Sequence, residues 1–472
     1  MSARLWSQEE LAAALGAPRT APAGPVAGVS IDTRTLQQGD LFFAIKGESG
    51  DGHAYVGRAF AAGAPAAVVE REKVDALASL GPLYAVEDTL RAMERLGVAA
   101  RRRAHARIAA VTGSVGKTSA KEMLRVVLAK AGPTHAAAAS YNNHWGVPLT
   151  LARLPASAAF GVFEIGMNHP REIEPLVAMV RPHAALVTTI APVHIEHLGS
   201  LEAIAEAKAE IFTGLEKGGA AVIHRDAPHF ELLARRARAA GARVETFGAG
   251  ADADARLIRF ENRVDGSRIE ARIRGRDITL SLGAPGRHMA ENALGVLLIA
   301  AALGVDIEAS AAALKEFAPG KGRGDRVTLR GADGPFTLID ESYNANPASM
   351  RAALDLLGAT KPRVGGRRIA ALGDMLELGP QGPAMHVALA DSLKRARVDL
   401  LFCAGPLMRG LFEAAPAAMR GAWAANAADV EGPLLKALRG GDVVMVKGSN
   451  GSRMGPIVAA LKSNFAGDAS AA

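Results

Sequence analysis

The segment with the clearest chemical potential is VTGSVGKTS (111–119), which lies between an apolar stretch and an amphipathic one. Its glycines allow backbone N–H groups to approach phosphate oxygens, and the start of the following helix favours an anion. Lys117 could reach the β- and γ-phosphates of a nucleotide, and the Thr118 hydroxyl could bind Mg²⁺. The usual spacing requires a glycine where Val111 stands, so the loop is a shortened variant. We predict a phosphate site, with a plain turn as the alternative.

Two groups that could bind a metal follow later apolar stretches. Glu164 ends FGVFEIG (160–166), and His194 follows AALVTTI (184–190). Ligands bind at the carboxyl edge of a parallel sheet, and a carboxylate there is placed to hold Mg²⁺. A surface glutamate and a structural histidine are the alternatives. Lys208 has acidic neighbours in a helical pattern, which by itself indicates a surface lysine.

Other polar groups allow two interpretations each. Asn142 and Asn143 could contact a substrate or cap a turn. Asn292 could read an adenine edge or belong to the first turn of a helix. The cluster DESYNANP (340–347) follows a predicted strand, where loops often carry function. Lys447 ends the last predicted strand. It could bind a second anion or simply precede a Gly-Ser turn.

Composition limits the class of protein. The chain has 472 residues, 22% of them charged, and a single cysteine, which excludes a disordered chain, a disulfide scaffold and a cysteine-rich zinc site. No apolar run approaches the ~20 residues of a membrane span. The net charge of +7 is compatible with a polyanionic small molecule and, less well, with nucleic acid. The basic run Arg101 to Arg107 resembles a solvated linker. We expect a cytoplasmic, monomeric protein that binds no nucleic acid and does not insert into a membrane.

Strand and helix patterns alternate along the chain, which predicts an α/β protein of three domains. We expect a small α/β domain over 1–106, a central parallel-sheet domain with the phosphate loop over 107–319, and a Rossmann-like α/β domain over 320–472. Residues 254–282 alternate apolar and charged side chains, which predicts an antiparallel insertion. The glycine-rich stretch PGKGRGDR (319–326) is the second linker, and its glycines could let the third domain swing.

In order and spacing, these motifs resemble the Mur ligases, ATP-dependent amide-forming enzymes of peptidoglycan synthesis. The resemblance rests on TGSVGKTS, EIGMNH, APVHIEHLGS, EAKAEIF, DESYNANP, LGDMLELG (372–379) and VKGSNGSRMG, and it covers essentially the whole chain. The DESYNANP and LGDMLELG stretches are similar to the branch that adds D-alanyl-D-alanine to a UDP-MurNAc-tripeptide. Ser140 departs from the pattern, since many relatives have asparagine there.

The resemblance implies a role for each matching residue. It implies catalytic roles for Lys117, Glu164, His194, Lys208 and Arg323, and two Mg²⁺ ions held by Thr118, Glu164, His194 and a carbamylated Lys208. It implies ATP contacts at Gly113, Ser114, Val115, Gly116, Lys117, Thr118, Ser119, Asn292, Arg323, Asp340, Tyr343 and Asn344. It implies substrate contacts at Ser30, Asp32, Thr33, Arg34, Lys46, Asp51, His53, Asn142, Asn143, Asn346 and Lys447.

The implied reaction is phosphorylation of the tripeptide carboxylate by ATP, followed by attack of the D-alanyl-D-alanine amine on the acyl phosphate. A sister Mur ligase or a folylpolyglutamate-type ligase would share the phosphate loop and use another amine. From a different class, a basic P-loop ATPase would be stimulated by nucleic acid. A wall-associated binding protein would bind the ligand without turnover.

Overall fold

The computed structural model describes residues 4–47, 50–193, 195–263 and 266–465, and its larger sheets define three successive regions. The predicted α/β class with a parallel central sheet is confirmed. In the described part of the chain, no helix is both long and apolar enough to cross a membrane.

The N-terminal region is built on a parallel sheet with the strand order β1-β2-β5-β6. Its elements are α1 (Gln8–Leu15), β1 (Gly28–Ser30), β2 (Asp40–Phe43), β3 (Lys46–Gly47), β4 (Gly50–Asp51), α2 (Val56–Ala61), β5 (Ala67–Glu70), α3 (Val74–Leu77), β6 (Leu83–Val86) and α4 (Thr89–Arg103). Strand β1 is shorter than the predicted 29–34 because Asp32 turns the chain, accepting a hydrogen bond from the Arg34 backbone N–H at 2.9 Å.

The central region contains a sheet ordered β15-β14-β13-β12-β11-β10-β7-β9-β8. Its first half comprises β7 (Arg107–Thr112), α5 (Lys117–Ala129), β8 (Thr134–Ala136), α6 (Gly146–Ala152), β9 (Phe160–Glu164), α7 (Ile173–Val180), β10 (Ala184–Val187), α8 (Ile195–Leu198) and α9 (Leu201–Ala209). Its second half comprises β11 (Ala220–His224), α10 (Phe230–Ala239), β12 (Arg243–Gly248), β13 (Ala255–Arg263), β14 (Gly266–Ile273), β15 (Arg276–Leu282), α11 (Arg287–Ala302) and α12 (Ile307–Ala313).

Burial explains the order of this sheet. Strand β7 carries an unbroken apolar run, and it lies between β9 and β10 with both faces covered. Strands β13 to β15 pair antiparallel, as predicted for 254–282, and along β14 buried residues alternate with more exposed ones over most of its length. Helix α11 is buried over most of its surface, which explains its apolar sequence.

The C-terminal region has a mixed sheet ordered β16-β17-β21-β18-β19-β20, in which only the β16–β17 pair is antiparallel among the described strands. Its elements are β16 (Asp325–Gly331), β17 (Gly334–Glu341), α13 (Pro347–Ala359), β18 (Arg368–Gly373), α14 (Gly382–Val387), α15 (Ala390–Arg395), β19 (Leu400–Ala404), α16 (Met408–Ala414), β20 (Arg420–Ala424), α17 (Ala427–Ala437), β21 (Val443–Lys447) and α18 (Gly455–Asn464).

The hydrophobic cores show how the regions are joined. One core runs without interruption from Trp6 through α4 and α6 into the central sheet. The C-terminal sheet has its own two cores, one on each face. The N-terminal and central regions therefore share packing, whereas the C-terminal region meets them mainly across a cleft.

The interpretation of Arg101 as part of a solvated linker is wrong. Arg101 is buried, and its guanidinium donates hydrogen bonds to the carbonyl oxygens of Val180 at 2.8 Å and Arg181 at 2.9 Å. It therefore anchors α4 to the end of α7.

Candidate active site

The phosphate loop joins β7 to α5 and is held against the end of the neighbouring strand β10. The Ser114 backbone N–H donates to the Thr189 carbonyl at 2.8 Å, and the Thr188 hydroxyl donates to the Val115 carbonyl at 2.6 Å. Gly113 has φ 145°, and a Cβ there would lie 1.9 Å from the Thr188 hydroxyl oxygen. Glycine is thus required at 113 by conformation and by contact.

Lys117 and Thr118 are the first two residues of α5, and both side chains donate hydrogen bonds to acceptors at the phosphate loop or the end of β9. The Lys117 ammonium donates to the Gly113 carbonyl at 2.7 Å. The Thr118 hydroxyl donates to Glu164 Oε2 at 2.8 Å, and the Asn142 amide donates to Glu164 Oε1 at 2.7 Å. Burial lowers the pKa of Lys117, Glu164 opposes that shift and Arg323 adds to it.

Lys208 lies on α9 and is almost completely buried, with 1% of its surface exposed. Its interpretation as a surface lysine from helix neighbours alone is wrong. Burial places the pKa of Lys208 well below its ordinary value, and the nearby Lys117 charge lowers it further. Burial therefore disfavours the ammonium form of Lys208 relative to the neutral amine.

Arg323 reaches the phosphate loop from the linker between the central and C-terminal regions. Its guanidinium carbon lies 4.0 Å from the centre of the Tyr343 ring, a cation–π geometry. The same guanidinium donates to the Ser140 hydroxyl at 3.2 Å. Gly322 has φ 73°, and its carbonyl accepts the Tyr343 backbone N–H at 3.2 Å, so this linker is shaped around the C-terminal turn.

The turn that follows β17 is organised by its own polar groups. Lys447 at the end of β21 donates to Glu341 Oε2 at 3.1 Å and to the Asn344 carbonyl at 2.9 Å. The Asp340 carboxylate accepts the Ser342 hydroxyl at 2.6 Å, and Asn346 caps α13. These side chains hold the turn in place at the edge of the cleft.

A cavity of about 520 Å³ lies between the central and C-terminal regions. It brings together predicted residues from both regions: Ser114, Val115, Gly116, Lys117, Thr118, Ser119, Asn142, Glu164, Asn292, Arg323, Tyr343, Asn344, Asn346 and Lys447. It is also lined by Ser140, Thr188, His288 and Glu341, for which the sequence motifs predict no individual role. Asn143 does not line it; its side chain accepts the backbone N–H of Gly146, the first residue of α6, at 2.9 Å and so holds the turn before that helix.

The predicted N-terminal residues form a separate patch. Asp32 accepts three side-chain hydrogen bonds from Arg34, of 2.6 to 3.0 Å, and the Ser30 hydroxyl holds the same turn. Arg34 is exposed, whereas His53 is buried and uses both ring nitrogens: one contacts Asp51 at 2.6 Å and the other accepts the Glu70 N–H at 2.9 Å. His53 therefore stabilises the fold here. Thr33 and Lys46 also lie in this region, outside the cavity.

The predicted metal ligands Thr118 and Glu164 belong to the described part of the chain. His194 lies outside the described residues. Among the residues that are described, no group of three or more His, Cys, Asp or Glu side chains is placed to hold a metal ion. Thr118 and Glu164 nevertheless present hard oxygen donors on one side of the cavity.

Comparison with known proteins covers nearly the whole chain. Family models match residues 25–112 ("Mur ligase family, catalytic domain"), 111–300 ("Mur ligase middle domain") and 325–450 ("Mur ligase, glutamate ligase domain"). The UDP-N-acetylmuramoyl-tripeptide–D-alanyl-D-alanine ligase of Escherichia coli is 35% identical over 92% of this chain and 94% of its own. The corresponding ligase of Synechocystis is 36% identical over 92% and 91%.

A solved structure gives the same result. The crystal structure of MurF from Acinetobacter baumannii superposes with a TM-score of 0.85 and 27% identity, over 98% of this chain and 100% of that one. The resemblance of the motifs is thereby confirmed, and the chain belongs to the Mur ligase family.

Proposed function

We propose that this chain joins D-alanyl-D-alanine to a UDP-N-acetylmuramoyl-tripeptide at the expense of ATP. The observation that carries the proposal is the meeting of Lys117 and Arg323, from two regions of the chain, beside Glu164 in one cavity. The two relatives described above are named for this reaction and match over 94% and 91% of their own length.

The chemistry explains why ATP is needed. A carboxylate does not react with an amine at neutral pH because oxide is a very poor leaving group. In the proposed reaction a tripeptide carboxylate oxygen bonds to the γ-phosphorus as the bond to ADP breaks. The dipeptide amine then attacks the acyl carbon, phosphate leaves, and the amine proton passes to solvent. The protein positions the reactants and neutralises charge.

Charge neutralisation is the main demand because a carboxylate must approach a triphosphate. At ~4 Å and an effective dielectric near 20, one pair of like charges costs about 4 kcal/mol. Lys117 and Arg323 supply positive charge on both sides of the cavity. We assign both to the phosphates, and Asn292, whose amide lies against Gly116, to the nucleobase.

Mg²⁺ fits the donors on the Thr118 side, since a hydroxyl and a carboxylate are hard oxygen ligands that leave positions for phosphate oxygens and water. When bound, the ion would neutralise phosphate charge. Thr118 and Glu164 would hold one ion. The family resemblance assigns a second to His194 and Lys208.

Lys208 could serve a metal only as a carbamate. A neutral amine reacts with carbon dioxide to give a carbamate and a proton, which turns a cation into an oxygen ligand. The burial that favours the neutral amine supports this assignment.

The N-terminal patch would bind the uridine nucleotide end of the substrate. The exposed guanidinium of Arg34 lies near Tyr55 and Tyr141, and Tyr141 adjoins the cavity residues Ser140 and Asn142. The substrate could therefore extend from this patch to the phosphate loop. We place the reaction in the cytoplasm, where ATP is available, and in a monomer.

The test is phosphate release with UDP-MurNAc-tripeptide and ATP, with and without D-alanyl-D-alanine. We expect turnover only with the dipeptide. Single amino acids, among them glutamate, are tested as alternative acceptors. Phosphate release stimulated by one of these, or by DNA or RNA, would contradict the proposal.

A further inference from the structure

We infer that Ser140 is a positioning residue that couples Arg323 to the phosphate loop. The inference rests on the proposed function for its kinetic part. Ser140 lies in the segment between β8 and α6, and its half-buried hydroxyl contacts Arg323 and Thr118, both at 3.2 Å.

The direction of these hydrogen bonds follows from the groups at the two ends. A guanidinium can only donate, and an ionised carboxylate can only accept. Arg323 therefore donates to the Ser140 oxygen, which leaves the Ser140 hydrogen for Thr118. The Thr118 hydrogen in turn goes to Glu164 at 2.8 Å. The result is one continuous chain of donors from Arg323 to Glu164.

These hydrogen bonds link two regions of the protein that do not share a hydrophobic core. Arg323 is stacked on Tyr343, and the Gly324 N–H donates to the Asp340 carbonyl at 2.8 Å, so the linker follows the C-terminal region. Thr118 and Glu164 belong to α5 and β9 of the central sheet. Ser140 thus holds the guanidinium over the loop, where an arriving phosphate meets it already oriented.

The kinetic test compares Ser140→Ala, Ser140→Thr, Arg323→Met and the double variant Ser140→Ala/Arg323→Met. We expect Ser140→Ala to lower kcat about tenfold with little change in the KM of ATP, because a charged hydrogen bond that orients a catalytic group is lost. Ser140→Thr keeps the hydroxyl and should recover most of kcat. Ser463→Ala, an exposed site on α18, is the matched control.

A second readout does not need activity. Hydrogen exchange of the amides in 320–326 should become severalfold faster in Ser140→Ala, and equally fast in Arg323→Met and in the double variant. Exchange in α18 should not change. If these amides exchange at the wild-type rate in Ser140→Ala, or if the effects of the two single changes on the exchange rate add up in the double variant, the inference is wrong. If the wild-type enzyme releases no phosphate, the proposed function fails, and hydrogen exchange still decides the role of Ser140.

Discussion

Lys117 and Lys208 are the same residue type in two different settings: Lys117 lines the cavity, whereas Lys208 is buried in α9 close enough to feel the charge of Lys117. Lys117 begins a helix next to a glycine-rich loop, and its ammonium contacts a backbone carbonyl that a phosphate oxygen could replace. Lys208 lies inside the protein, where burial and the charge of Lys117 favour its neutral form. We expect Lys117 to act as a cation, whereas burial suits Lys208 to react as a neutral amine.

Lys117→Ala should abolish phosphate release, with a loss of at least ~10³-fold in kcat, because the phosphates lose their nearest fixed cation. Phosphate release under saturating ATP is the measurement. Lys130→Ala, at the exposed far end of the same helix, is the control. Normal turnover by Lys117→Ala would remove the phosphate-loop assignment.

Lys208→Ala should be inactive and should be partly rescued by small carboxylates such as formate or propionate, which can supply the missing oxygen ligand. Rates measured over a concentration series of each carboxylate provide the check. Chloride at equal ionic strength separates rescue from a salt effect. Full activity of Lys208→Ala without any additive would exclude the carbamate.

The two lysines also show what could be read from the sequence at this scale. The role of Lys117 follows from local spacing, because the loop and its helix are contiguous. The neighbours of Lys208 on α9 are acidic and indicate solvent, and its burial arises from packing against other elements that a single helix pattern does not contain. Ser140 is similar: its partners Thr118 and Arg323 are far away in sequence.

The elements of this fold place the site by bringing chain segments together at one edge of the central sheet. Strands β7, β9 and β10 end beside one another. Lys117 begins the helix after β7, Glu164 is the last residue of β9, and Thr188 directly follows β10. Strand order follows from burial, so these strands were predictable from their apolar runs. The edge strand β8 was not, since it is only partly buried.

In the C-terminal region, the loop after β18 depends on a buried histidine. His386 accepts the Met375 N–H at 2.9 Å on Nε2, so its other nitrogen donates to the Gly382 carbonyl at 2.6 Å. The Met375 bond requires the neutral ring, because a protonated Nε2 cannot accept a hydrogen bond. Burial lowers the pKa of His386, and the Gly382 bond and Asp374 oppose that shift.

The sign of the resulting pH dependence can be worked out. An unfolded histidine gains a proton near pH 6.5, whereas folded His386 gains one only at a lower pH, so in this range the unfolded state binds more protons and stability falls as the pH drops below ~6.5. The slope from this group is at most about 1.4 kcal/mol per pH unit. His386→Gln can keep both hydrogen bonds without titrating.

We therefore expect His386→Gln to lose less stability than wild type between pH 7 and pH 5.5, measured by urea unfolding of the C-terminal region. His105→Gln, an exposed site, should follow the wild-type curve. Identical slopes for all three proteins would show that His386 does not control acid sensitivity.

The whole molecule divides into a joined pair and a separate third part. The N-terminal and central regions share one core, while the C-terminal region packs on its own sheet and meets them at the cavity. We expect the elements that line the cavity to change their separation, because Gly322 and Gly324, both at positive φ, lie in the connecting linker. Such an arrangement suits a site that closes on its substrates.

Arg101 tests the joined pair. Besides its bonds to two carbonyls at the end of α7, its guanidinium lies 3.6 Å from Glu216. Because the side chain is buried, Arg101→Met leaves those carbonyls without donors and should lower the free energy of unfolding by ~2–3 kcal/mol. Arg102→Met changes the next residue, which is exposed, and should cost less than ~0.5 kcal/mol. The urea midpoint of the transition that unfolds both regions measures the difference. Equal midpoints for the two variants would mean that the shared core alone holds the pair together, and that Arg101 contributes charge without stability.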